Sequence, residues 1–202
     1  MLSIWMDLCD RVGIHDVLIN LHAHADVVCE FLRNHSHGTR IRVAVEPQLL
    51  GSAGTLRANR GWVKSDELFW IFYADVLNNA DLTGMLRNHQ LKKPAATIGV
   101  YHVPEPHRCG IVTVDEQDMV QQFVEKPRVP MGNLAFSGLM IGTAEMLDAI
   151  PAAVPSDIGF DVLPQLVGRM LAYPIHDYLI DIGTMANYQA AQNTWPGLQG
   201  VR

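Results

Sequence analysis

A chain of 202 residues is long enough to close a substantial core and suits one large α/β domain. Its net charge of -6, with no block of lysines and arginines, offers no electrostatic footprint for DNA or RNA. No apolar run approaches the roughly 20 residues that span a bilayer, so the expectation is a cytoplasmic chain with neither a membrane nor a nucleic-acid polymer as partner. Cys9, Cys29 and Cys109 are odd in number and lack C-x-x-C spacing, which reads as free thiols in a reducing compartment. The amino terminus has neither the basic leader nor the small-residue cleavage site of a signal peptide.

In chain order, Leu2, Trp5, Met6, Leu8, Cys9 and Val12 share one side of a helix that Gly13 is placed to stop. Strands are predicted over 16–21 and 40–45, with an amphipathic helix over 25–34 carrying Val27, Val28, Phe31 and Leu32 on one face. The run Leu68-Phe69-Trp70-Ile71-Phe72-Tyr73 reads as a strand buried on both faces, followed by Ala74 and then Asp75. Asp81 is placed to cap a helix with Leu82, Met85, Leu86 and His89. Beyond it come a strand over 95–103, a hairpin of 110–114 with 119–124 around Asp115-Glu116-Gln117-Asp118, and a strand over 134–142. A short helix from Ala144, an amphipathic helix with Val162, Leu163, Leu166 and Val167, strands near 171–175 and 178–184, and a helix over 185–193 complete the chain. Short strands alternating with helices predict an α/β fold of the doubly wound, Rossmann-like kind, with a mixed, mostly parallel sheet and helices on both faces.

In open α/β sheets, ligands bind beyond the carboxyl ends of the strands, so Asp75 and Asp181, each following an apolar strand, are candidate metal ligands. From position alone, each could equally cap a turn or helix. Gly51-Ser52-Ala53-Gly54 leads into a helix and permits close backbone approach to a ligand, or is an ordinary capped loop. It has neither the spacing nor the place of a dinucleotide-binding fingerprint. Glu125-Lys126-Pro127 is a charged corner or an exposed turn pair. The pairs His22/His24 and His35/His37 lack the further ligands of a zinc site, and no cysteine lies beside a recognisable base.

The ordered series Glu46-Pro47, Leu50 to Gly54, Ala74-Asp75-Val76-Leu77, Gly110-Ile111-Val112, Phe123 to Pro127, Asn133 with Ser137-Gly138, and Ile180 to Thr184 resembles the sugar-1-phosphate nucleotidyltransferases, the mannose-1-phosphate guanylyltransferase type above all. The resemblance implies the nucleotide-diphospho-sugar transferase fold and transfer of a nucleotidyl group from a nucleoside triphosphate, GTP by preference, to a sugar 1-phosphate, mannose-1-phosphate by preference. It implies Mg²⁺ held by Asp75 and Asp181, and Lys126 on the sugar phosphate. Glu125, Gly110, Ser137 and Gly138 would form the sugar pocket, and Glu46 with Gly51, Ser52, Ala53 and Gly54 would contact the base. It further implies that the chain is a single domain, 1–202, truncated at its amino end. The family's first strand and its glycine-rich loop with Gly-Thr-Arg and Pro-Lys would then be missing, leaving an open strand edge. Ala74 stands where the family usually has Gly before the acid, and Phe136 where many members place a small or polar residue. A non-catalytic nucleotide-sugar-binding or regulatory paralogue is the alternative, with a homo-oligomer left open.

Overall fold

The computed structural model describes residues 1–34, 38–63 and 68–198. Helix α1, Leu2–Arg11, buries Trp5, Met6, Leu8 and Cys9 and ends where Gly13 turns back at φ 74°. Strand β1, Asp16–Leu21, runs parallel to β2, Arg40–Val45, with helix α2, Ala25–Asn34, as the crossover. This pair forms a two-stranded sheet of its own.

The main sheet is organised on β8, Leu134–Gly142, the longest strand. One edge of β8 pairs with β5, Ala96–His102, which pairs onward with β9, Met170–Pro174. Its other edge holds β3, Phe69–Phe72, along residues 139–142 and touches β6, Gly110–Val114, at Ala135. The expected hairpin forms between β6 and β7, Val120–Glu125, around an Asp115 carboxylate that accepts from the Gln117 and Met119 amides. Since β8 is antiparallel to β3, β5 and β6, and β5 is parallel to β9, those four strands share one direction while β7 and β8 oppose them. The sheet is therefore mixed, with a parallel majority by direction though few parallel neighbours.

Two clusters of apolar side chains cover the faces, and strand alternation assigns residues to them. Phe69 and Ile71 join Ile98, Met140, Met146 and Leu163 on one side; Trp70 and Phe72 join Trp5, Leu8, Val76 and Leu139 on the other. Among the described residues β3 has β8 as its only strand partner, and Trp70, Ile71 and Phe72 remain half-buried.

Three expectations need correction. The strand expected over 68–73, buried on both faces, spans Phe69–Phe72 and is half-buried; the bond from the Tyr73 amide to the Gly138 carbonyl (3.0 Å) is the last before Gly138 bends β8 at φ 79°, and Leu68 lies exposed before it. The chain turns through Ala74 and Asp75 and re-enters a strand as β4, Val76–Asn78. Leu179–Asp181 (β10) is a short, half-exposed strand antiparallel to β4, rather than a buried one. In place of the amphipathic helix around Val162, a π-helical turn, Ile158–Val162, runs into a 3-10 turn, Leu163–Leu166. Pro164 lacks the amide that a continuing α-helix needs, yet Ile158, Val162, Leu163 and Leu166 are still buried.

The remaining elements follow the sequence pattern. Helix α3 is Ser52–Ala58, α4 is Leu82–Lys92 with the Asp81 carboxylate capping the Gly84 amide, α5 is Ala144–Asp148, and α6 is Met185–Thr194. No helix among the described residues is long and apolar enough to cross a membrane.

Candidate active site

Two acids come together from different segments. Asp75 sits in the turn between β3 and β4, and Asp181 ends β10, where it lies opposite Val76. The Ile182 amide donates to the Asp75 carbonyl (2.8 Å) and the Gly183 amide to Asp181 Oδ1 (2.7 Å). A methyl group on Gly183 would stand 2.9 Å from Asp181 Oδ1 and 3.5 Å from Asp75 Oδ2, so the carboxylates flank that glycine. Loss of hydration, then repulsion from Asp181, raises the Asp75 pKa, and a backbone hydrogen bond opposes them. Helix α1 braces this turn from behind, with Trp5 stacked on Phe72 at 4.7 Å and its indole donating to the Ala74 carbonyl at 3.2 Å.

A second acidic corner faces the first. Gly110 and Glu125 are paired in the β6–β7 hairpin, and added methyl groups at Gly110 and Gly159 would meet Glu125 Oε2 at 2.6 and 2.5 Å. Those glycines make room for the Glu125 carboxylate itself. Burial raises its pKa, Lys126 opposes this, and Asp157 adds to it. Lys126 adopts φ 47°, which swings its exposed ammonium to 3.9 Å from Glu125 Oε1 and 5.9 Å from the centre of the Phe160 ring. The Tyr73 hydroxyl experiences the charges of Asp157, Glu125 and Asp75, and the Cys109 thiol those of Asp181, Glu125, Arg108 and Lys126. Both corners lie within electrostatic reach of these two side chains, which sets them on either side of a candidate crevice.

The glycine loop forms the third side. Gly51 turns at φ 78°, and any side chain there would strike the Ser156 carbonyl, which also accepts from the Ala53 and Gly54 amides. Ser52 Oγ donates to Asp157 Oδ2 (2.9 Å) and accepts from the Ile158 amide (2.8 Å). Glu46 is buried beneath the loop, one oxygen accepting from Thr55 Oγ1 (2.5 Å) and the other from the Leu50 amide (3.3 Å). Its carboxylate holds the loop's shape.

Ser137 is buried, its hydroxyl accepting from the Leu139 amide beside Gly99, so it points into the sheet. Gly138 lies under the Tyr73 side chain. Phe136 meets Tyr73 and Phe123 edge-on at 5.8 and 6.4 Å, forming an aromatic wall. Among the described residues no group of three or more His, Cys, Asp or Glu could hold a metal ion; His22 instead pairs with the Glu46 carbonyl, and His35 and His37 lie outside the described residues. Burial, reinforced by Asp10, pushes the Cys9 thiol up to about 11, which keeps it from acting as a nucleophile.

Residues 1–196 match the family model described as nucleotidyl transferase. The chain belongs to the nucleotidyl transferase family. Within that family it is 29% identical over 185 residues to the probable mannose-1-phosphate guanylyltransferase 1 of Oryza sativa, covering 88% of this chain and 51% of the relative. It is also 29% identical over 203 residues to the glucose-1-phosphate adenylyltransferase of Halalkalibacterium halodurans, covering 90% of this chain and 53% of that protein. The chain spans about half the length of the curated relatives it matches. Among solved structures, HddC from Yersinia pseudotuberculosis superposes with a TM-score of 0.79 at 20% identity, over 96% of this chain and 84% of that one. UDP-glucose pyrophosphorylase complexed with UDP-glucose gives 0.83 at 16% identity, over 96% and 85%. At those identities the likeness establishes the fold.

Sequence reasoning missed three residues that this nucleotidyl transferase family member places at the crevice: Tyr73, Asp157 and Phe160. Asp157 carried a readable signal, since Asp followed two residues later by Gly is an Asx-turn pattern. Its Oδ1 accepts from the Gly159 and Phe160 amides at 2.8 and 3.1 Å. Tyr73 was hidden inside an apolar run.

Proposed function

We propose that the chain carries the catalytic site of a sugar-1-phosphate nucleotidyltransferase, with GTP and mannose-1-phosphate as the favoured substrates and the cytoplasm as its place of work. The observation that carries this is the convergence of Asp75 and Asp181 at Gly183, across the crevice from Glu125 and Lys126. In the reaction a sugar-phosphate oxygen forms a new bond to the α-phosphorus of the triphosphate as the bond to the β-phosphate oxygen breaks and pyrophosphate departs.

Two carboxylates converging on Gly183 fit Mg²⁺, which binds one or two protein carboxylates and completes its shell with phosphate oxygens and water. Bound there, it would neutralise charge on the α-phosphate. The protein's own groups bind and orient. Lys126, exposed at the lip, meets the sugar phosphate; Glu125 accepts from sugar hydroxyls; and the loop of Gly51, Ser52, Ala53 and Gly54 lets its backbone come close to the base, with Glu46 fixing its shape. Ser137 and Gly138 serve the pocket from behind, by letting β8 bend under Tyr73.

A second reading, nucleotide-sugar binding without turnover, is favoured by the burial and the repulsion from Asp181 that raise the Asp75 pKa. Pyrophosphate release with Mg²⁺, a panel of nucleoside triphosphates and a panel of sugar 1-phosphates separates the two. Turnover that disappears in Asp75→Asn supports the transferase; nucleotide-sugar binding by calorimetry with no turnover on any pair supports the second reading.

A further inference from the structure

The Asp157 carboxylate stands between two sides of the crevice and gives one oxygen to each. Oδ2 accepts from Ser52 Oγ in the glycine loop (2.9 Å), and Ser52 Oγ accepts in return from the Ile158 amide (2.8 Å). Oδ1 accepts from the Gly159 and Phe160 amides, and a methyl group on Gly159 would stand 2.5 Å from Glu125 Oε2, so this turn is the seat on which the Glu125 side chain rests. Asp161 Oδ2 fixes the turn further by accepting from the Asp157 amide (2.7 Å). Beside it, Ser156 binds the glycine loop through the main chain: its amide donates to the Leu50 carbonyl (2.9 Å), and its carbonyl accepts from the Ala53 and Gly54 amides (3.0 and 3.3 Å). With the Leu50 amide on Glu46 and the Thr55 amide on the Gly51 carbonyl, these donors are engaged within the protein and hold shape rather than an anion. The place of the loop relative to the Glu125 corner is therefore set by residues 156–159.

We propose that Asp157 is a positioning residue that fixes the Gly51–Gly54 loop, which meets the base, against the Glu125 corner, which meets the sugar. This rests on the transferase reading of the site. Both carboxylate oxygens of Asp157 are committed to protein donors, so its contribution is alignment. The nucleotide lies against one side and the sugar phosphate against the other. In-line attack therefore depends on the two sides keeping their separation, and a misplacement of about 1 Å can cost about 100-fold in rate. An asparagine at 157 keeps an oxygen on the Gly159 and Phe160 amides and reverses the link to Ser52, its amide donating to the hydroxyl. An alanine removes both arms of the bridge.

The test compares wild type with Asp157→Asn, Asp157→Ala, Ser52→Ala and the double alanine variant, in thermal unfolding and in pyrophosphate release with Mg²⁺ below every unfolding midpoint. For Asp157→Ala, kcat is expected to fall about tenfold or more while KM for the sugar phosphate stays within about threefold, the signature of lost alignment rather than lost binding. Asp157→Asn should keep kcat within about threefold of wild type, because the bridge survives without the charge. The double variant should fall no further than Asp157→Ala alone, since Ser52→Ala cuts one arm of the same bridge. An unchanged kcat in Asp157→Ala overturns the proposal. So does an Asp157→Asn variant as slow as Asp157→Ala, which would make charge the operative property, and so does a fully multiplicative double variant. If the wild type turns over no substrate, the transferase reading fails on its own, and the bridge is judged by unfolding. Non-additive midpoint shifts for Asp157→Ala and Ser52→Ala then uphold the coupling between the two sides, and additive shifts overturn it.

Discussion

Replacing Asp75 by Asn should make the metal-free protein more stable while removing its activity. The two glycine-referenced distances place the nearest carboxylate oxygens of Asp75 and Asp181 within about 6 Å of each other, where two unit charges repel by about 3 kcal/mol at an effective dielectric of 20 and about 0.7 kcal/mol in bulk water. Both side chains reach solvent, and physiological salt screens over a length of about 8 Å, so the working value lies near the water limit, about 0.5–1 kcal/mol. For a domain of this size that is a rise of roughly 1–4 °C in Tm. The assay is thermal unfolding of both proteins in EDTA, at low and at high salt, beside pyrophosphate release with Mg²⁺. The stabilisation should shrink as salt rises, and the rate should drop by about 100-fold or more, as expected when a group that supports transition-state charge is lost. A lower Tm for Asp75→Asn in EDTA, or retained turnover, would refute the reasoning that these acids are paired for a cation.

Further outcomes follow from the same geometry. Asp75 and Glu125 both have pKa values raised above the ordinary carboxylate range, so the folded state holds their protons to higher pH than the unfolded state. Their effect is therefore a loss of metal-free stability as pH rises from the ordinary carboxylate value through the raised one, seen as a falling denaturation midpoint that Glu125→Gln reduces. Lys126→Ala should leave Tm within about 1 °C, because an exposed ammonium 3.9 Å from its partner contributes little. The same variant should raise KM for the sugar phosphate by about 10- to 100-fold through loss of a charge-assisted contact. Gly138→Ala must hold φ 79° and press on Tyr73; at about 2 kcal/mol or more, the midpoint should drop by roughly 4–8 °C.

Much of the fold was legible because it rests on local periodicity. The β6–β7 hairpin and β8 declared themselves by apolar content and turn chemistry, and α4 by the Asp81 cap and the spacing of Leu82 and Met85. The stretch from Ile158 to Leu166 was not legible as an irregular turn, because its apolar spacing suits a helix and Asp157 caps its start as a helix cap would, while Pro164 removes an amide that a continuing α-helix needs. The acids of the site were legible from their places at the ends of apolar segments and from the order of the surrounding motifs. Asp157 was not, since its meaning depends on Ser52, 105 residues away in the chain.

By itself, the sequence determined which segments are strands and helices, which residues carry charge in an apolar setting, and the order of motifs that the family match then established. Those properties are local, set by side-chain volume, polarity and period. Tertiary structure alone decided that Asp75 and Asp181 share one glycine, that Glu46 and Ser137 turn inward, that Gly110 and Gly159 accommodate Glu125, and that Ser52 of the glycine loop bonds Asp157. Such pairings come from sheet register and crossover geometry, which bring together groups far apart in sequence through hydrogen bonds that no local pattern encodes.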